Sequence, residues 1–117
     1  MSIDPALLER GNVWLVRFDP VKGHEQGSDC PCAIASGSPF NTPGRALVAI
    51  VPVSSRISQH RLSVHMIPPE GGMIIPSDAL CGQVRTVSLG RPLTHVGMLT
   101  PRTMRLVSIR LRIYLDI

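Results

Sequence analysis

The sequence predicts a mainly β chain with one helix candidate at its end, and three observations carry that reading. Ten glycines and eleven prolines punctuate short apolar runs, a spacing that suits many short strands better than long helices. Several of those runs alternate apolar and polar residues, the period of a half-buried strand. Hydrophobic residues make up 44% of the 117 residues and aromatic ones only 3%, so the expected core is aliphatic and of ordinary globular size. The length suits a single domain over residues 1–117.

The first strand is Asn12-Val-Trp-Leu-Val-Arg-Phe18, rich in β-branched and aromatic residues. It stops at Asp19-Pro20, and a polar loop from Val21 to Asp29 follows, with Gly23 and Gly27 at its bends. Cys32 to Ser36 reads as the second strand, and Gly37 to Gly44 as a turn-rich loop. Ala46 to Val53 is a near-continuous apolar run and so the most buried strand. Pro52 cannot donate to a ladder, which places it at the strand's end or on an edge. Ser54 to Arg61 is polar and basic, a loop. Leu62 to Met66 alternates as a fourth strand, Met73 to Ile75 reads as a short strand closed by Pro76, and Gln83 to Ser88 alternates again. The C-terminus supports two readings. Val107, Ile109, Leu111, Ile113 and Leu115 keep a period of two, whereas Thr100-Pro101 is a helix start, a hydroxyl cap followed by proline at the first helical position.

Composition excludes several classes. No apolar run reaches the roughly 18 residues of a membrane span, and residues 1–10 lack a charged-then-apolar leader pattern, so a cytoplasmic protein is expected. Cys30, Cys32 and Cys81 are too few and too oddly spaced for a disulfide framework or a structural zinc site. With only Trp14, Phe18, Phe40 and Tyr114 as aromatics, an RNA reader built on several stacking platforms is disfavoured. Charge is uneven: residues 1–40 carry three basic and five acidic groups, and residues 41–117 nine basic and three acidic. Eleven of the twelve basic residues are arginines, whose planar guanidinium suits phosphate. The surplus fits a polyanionic or acidic partner as well as a merely solvated basic face.

Three blocks, in order, carry a family resemblance: Arg10-Gly-Asn-Val-Trp-Leu-Val-Arg-Phe-Asp-Pro20, Gly23-His-Glu-Gln-Gly27 and Gln83-Val-Arg-Thr-Val-Ser88. Val51-Pro-Val-Ser-Ser-Arg56 falls between them, and Gly97-Met-Leu-Thr-Pro101 runs on to Ile113-Tyr-Leu-Asp-Ile117. From about residue 9 to its end the chain resembles the MazF/PemK toxins of bacterial toxin–antitoxin pairs. The resemblance implies an SH3-like antiparallel barrel of about 5–7 strands with a C-terminal helix, which decides the ambiguous segment for helix. It also implies a homodimer whose interface helps form an RNA groove, a small acidic antitoxin of the MazE/PemI kind as partner, and no cofactor and no metal. The activity implied is cleavage of single-stranded RNA at short motifs, leaving a 2′,3′-cyclic phosphate and a 5′-hydroxyl.

Such cleavage uses the RNA's own 2′-hydroxyl as nucleophile, so the site needs a proton acceptor, a proton donor and groups that stabilise the phosphorane. The resemblance gives the catalytic positions to Glu25, to Ser54 as the assisting hydroxyl, and to Cys30. RNA contacts fall to His24, Gln26, Gly27, Arg56, Gln83 and Arg85. One departure stands out: Asp29-Cys30-Pro31 occupies the segment where the family reads Arg-Pro. A thiol supplies no fixed positive charge. The expectation is therefore either an attenuated endoribonuclease or a catalytically dead member that binds antitoxin or RNA as a decoy. Arg85 has two further readings, a phosphate contact or an ion pair with Asp78 or Glu25. The helix arginines, Arg102, Arg105, Arg110 and Arg112, read as a solvated face.

Overall fold

In a computed structural model, residues 8–18, 29–37, 47–88 and 92–117 are described. Seven strands precede one helix: β1 (Asn12–Arg17), β2 (Asp29–Ile34), β3 (Leu47–Ser54), β4 (Ser63–Met66), β5 (Ser77–Leu80), β6 (Arg85–Ser88), β7 (Pro92–Met98) and α1 (Pro101–Leu115). All pairings are antiparallel, in the order β4-β5-β3-β2-β1-β7, with β6 also on β3. The sheet curls into the half-barrel with a C-terminal helix that the resemblance implies. No helix among the described residues is long and apolar enough to cross a membrane.

The central strands are buried on both faces, which is why β3 reads as an unbroken apolar run. Val13, Ala33, Val51 and Val53 join one cluster with Val64, Met66 and Ala79, and α1 adds Val107 and Leu111 to it. Their strand neighbours Trp14, Val16, Cys32, Ile34 and Ile50 join a second cluster with Val48 and Val87.

Pro52 lies inside β3, short of its end. β3 pairs β6 up to Ile50↔Arg85 and β5 from Val53↔Ala79. Between β5 and β6 the chain makes a 3-10 turn, Cys81–Gln83. The residue without an N–H thus falls where the neighbouring strand is interrupted, which spares it the ladder bond it cannot make.

The structure corrects three other expectations and adds a strand. β2 begins at Asp29, so Cys30 and Pro31 sit on a strand and not in a loop; Asp29 and Cys30 pair with Arg17 and Val16 of β1. Met73–Ile75 is not a strand, and the strand lies one step later, at Ser77–Leu80. The last alternating stretch starts at Arg85, because Gln83 belongs to the 3-10 turn. β7, which begins on a proline and holds a glycine, gave no readable alternation. Its Gly97 is required by packing: a Cβ there would lie 2.6 Å from the Gly72 nitrogen, so the backbone of the Glu70–Gly72 turn rests directly on β7.

At the C-terminus the cap outweighs the alternation. The Thr100 hydroxyl accepts the Thr103 N–H at 3.2 Å, with Pro101 following in the first turn. Glu70 accepts from both the N–H and the hydroxyl of Thr100. Thr103, Val107 and Leu111 form the buried stripe, while Ile109 and Ile113, which a strand would put on the same face as Val107 and Leu111, are exposed.

Candidate functional site

Two grooves meet at the end of β3. The first is a cleft of about 520 Å³ between the start of β2 and the segment Gly72–Ile75, lined by Cys30, Ser54 and Ser55 among others. The second, of about 960 Å³, runs between the segment Ser54–Ser63 and the Cys81–Gln83 turn and reaches Tyr114 of α1. Ser54 and Ser55 belong to both.

Strand geometry places Cys30 and Cys32 two residues apart on one face. The half-buried Cys30 thiol reaches the Pro31 carbonyl at 3.4 Å and the Val53 carbonyl at 3.8 Å. The Cys32 thiol reaches the Cys30 carbonyl at 3.4 Å. A thiol beside a second thiol titrates as one of a pair. Hydrogen bonding from Cys32, helped by the backbone at Val53, holds the Cys30 thiol down to about 7 although burial opposes it. The Cys32 thiol is pushed up, by its bond to Cys30 and by burial, and the Arg85 cation offsets only part of this. Cys81, outside both grooves, is raised to about 11, chiefly by burial. The site therefore offers one thiol near its midpoint at neutral pH and two that stay protonated.

The segment after β3 is held by a buried carboxylate. Register sets Ser54 of β3 opposite Asp78 of β5, and Asp78 opposite His65 of β4. Asp78 is only 2% exposed. Its Oδ2 accepts the Ser58 N–H at 3.1 Å, and its Oδ1 pairs with His65 Nδ1 at 2.9 Å. The segment then closes on itself: the Ser58 and Ser63 hydroxyls lie 2.8 Å apart, and the Leu62 N–H donates to His60 Nδ1 at 3.1 Å. At its base the Ser54 hydroxyl accepts the Arg56 N–H at 3.1 Å.

Of the residues expected from sequence, the structure brings Cys30 and Ser54 to one cleft, and Ser54, Arg56 and Gln83 to the adjoining groove. Arg85 lines neither. Its guanidinium lies 4.7 Å from the centre of the Phe18 ring, a cation–π contact, and Asp78 is engaged by Ser58 and His65. His24, Glu25, Gln26 and Gly27 lie outside the described residues. Asp78, His65 and Tyr114 were not among the site residues expected from sequence. The one usable signal was Asp78 itself, an isolated acid between two apolar stretches. Among the described residues no group of three or more His, Cys, Asp or Glu side chains is placed to hold a metal. What the arrangement offers is a hydroxyl, a cation and an amide along one groove, with a titratable thiol across the shared wall.

Comparison with known proteins adds four findings. The family described as PemK-like, MazF-like toxin of type II toxin-antitoxin system matches residues 9–115. The chain is 25% identical to endoribonuclease MazF9 of Mycobacterium tuberculosis, over 95% of this chain and 98% of that one. It is 35% identical to endoribonuclease PemK of Escherichia coli, over 70% of this chain and 62% of that one. Among solved structures, a mycobacterial endoribonuclease in complex with its cognate antitoxin superposes with a TM-score of 0.76, at 21% identity, covering 93% of this chain and 95% of that one.

Proposed function

Because the chain belongs to the PemK-like, MazF-like toxins of type II toxin–antitoxin systems, we propose that it is an endoribonuclease that cuts single-stranded RNA by internal transesterification. The observation that carries this reading is the place of Ser54, where the Cys30 cleft opens into the groove of Arg56 and Gln83. The 2′-oxygen of one nucleotide attacks the adjacent phosphorus, and the bond to the 5′-oxygen of the next nucleotide breaks. A general base, the role given to Glu25, takes the 2′-hydroxyl proton, and a second group returns a proton to the departing 5′-oxygen. Ser54 donates to the phosphorane, and Arg56 neutralises the adjoining phosphate. His24, Gln26, Gly27 and Gln83 contact the RNA, and Arg85 flanks the thiol pair from β6.

In this reading Cys30 costs rate. It holds the position of a phosphate-binding arginine and supplies no positive charge. As a thiolate it repels the phosphate it faces. Losing one such donor removes about 2.7–4 kcal/mol of transition-state stabilisation, roughly 10²–10³ in rate. Residues 1–117 act as one domain, as a homodimer in the cytoplasm, and an acidic antitoxin of the MazE/PemI kind restrains them. The support for these partners is the antitoxin complex of the mycobacterial structure, the net charge of +4 and the exposed apolar residues Ile109 and Ile113 on the outer face of α1. The second reading, a decoy that binds without cutting, is favoured by the same Cys30.

The test incubates the purified chain with a long RNA in EDTA and maps the ends. Cuts at one short motif leaving 5′-hydroxyl ends support the enzyme. RNA left intact at high protein concentration favours the decoy.

A further inference from the structure

Building on the endoribonuclease reading, we infer that Tyr114 is the platform on which one unpaired base of the RNA stacks, in the groove that Ser54 also lines. Helix geometry gives the first argument. Tyr114 follows Val107 and Leu111 by seven and three residues, so it continues the stripe that α1 turns towards the sheet. Val107 and Leu111 are buried there, yet Tyr114 is 50% exposed. The stripe has run past the packed core, and Tyr114 lines the groove.

Scarcity gives the second argument. Recognition of unpaired RNA relies on splayed bases stacking on an aromatic face. Among the described residues Trp14 is buried and Phe18 is faced by Arg85. Tyr114 is the described aromatic with half its surface open. A chain this poor in aromatics disfavours several platforms, and one is what the groove presents.

The neighbours of the ring suit a base as well. Leu62 and Leu80 give the groove apolar walls, which suit the face of a base. Gln83 brings an amide that both donates and accepts, the chemistry of a base edge. Arg56 brings a cation for the phosphate between that base and the scissile position at Ser54. The outer face of α1, with Ile109 and Ile113 among Arg102, Arg105 and Arg112, points away from this groove by helix periodicity. A subunit contact there leaves Tyr114 free to stack.

The probe is an oligoribonucleotide with a 2′-O-methyl backbone, which lacks the nucleophile and is not cut, carrying 2-aminopurine at successive positions. Wild type binds and quenches the fluorophore at one position. Tyr114→Phe keeps both effects. Tyr114→Leu, which keeps an apolar side chain and removes the ring, weakens binding roughly 5- to 150-fold and abolishes the quench. Sedimentation confirms that the variants keep the assembly state of wild type. A second measurement needs no variant: irradiating wild type with a 4-thiouridine form of the same probe and mapping the adduct by mass spectrometry is expected to mark Tyr114. Unchanged binding by Tyr114→Leu, an equal loss in Tyr114→Phe, or adducts confined to other segments overturns the inference and leaves the enzyme reading standing. Failure of wild type to bind the probe at low salt overturns both.

Discussion

The Oδ2 atom of Asp78, on β5, accepts at 3.1 Å the backbone N–H of Ser58, in the segment that joins β3 to β4, the two strands between which β5 lies. The carboxylate is 2% exposed, and such a group is costly to bury unless its lone pairs are used. Here Ser58 and His65 use them, and in return the segment carrying Arg56 is fixed against β5. Asp78→Ala leaves the Ser58 N–H and the His65 ring without that partner. It is expected to cost about 1.5–3 kcal/mol in urea unfolding and to speed amide exchange across residues 55–62. A change below about 0.5 kcal/mol, with exchange unaltered, contradicts this anchoring.

The thiol pair makes a pH prediction. Cys30 is lowered to about 7, first by its hydrogen bond from Cys32, while Cys32 and Cys81 are raised. The thiolate is the reactive form. Iodoacetamide is therefore expected to label Cys30 first, with a rate that climbs through pH 7, before the other two. Cys32→Ala removes the stabilising donor and moves that midpoint upward. RNA cleavage carries the opposite sign: as pH rises through about 7 the thiolate forms beside the phosphate, so activity falls. Mass spectrometry across pH 5.5–9, a window chosen roughly to bracket the thiol range, reads the labelling. Equal labelling of all three cysteines contradicts the assignment.

A close backbone approach supports the wall of the Cys30 cleft. At Gly72, φ is +78° and a Cβ would lie 2.3 Å from the Val96 carbonyl oxygen; at Gly97 it would meet the Gly72 nitrogen at 2.6 Å. Backbone atoms cannot swing aside as a flexible side chain does. Gly97→Ala is expected to destabilise by about 1–3 kcal/mol and to loosen Met73–Ile75 along the cleft. Thermal unfolding and amide exchange check both halves. A neutral Gly97→Ala contradicts the tight packing of β7 on the turn.

The sequence reading succeeded where local pattern and tertiary demand agree. β1, β3, β4 and β6 alternate or run apolar because they line one or both clusters. It failed at β5 and β7. Ser77-Asp78 has poor strand propensity and is held by what packs over it, and Pro92 and Gly97 break the pattern for reasons set by neighbours far along the chain. In α1, apolar residues at both i+2 and i+4 satisfy two periods at once, and the cap at Thr100 together with the family resemblance decided for helix. Ser54, Arg56 and Gln83, named from motif order, line the grooves. Asp78 and Tyr114 were not singled out, because the contacts of Asp78 come from a segment folded over it and Tyr114 reaches its groove only through the packing of α1.

The most direct measurement compares RNA cleavage by wild type and Cys30→Arg, in EDTA, on one RNA and at matched concentration. The account predicts that restoring the guanidinium raises the rate about 10²–10³-fold, with cuts at the same motif in both proteins. Equal rates contradict the claim that position 30 lies at the reacting phosphate, and so does a variant that folds and binds RNA but cuts no faster.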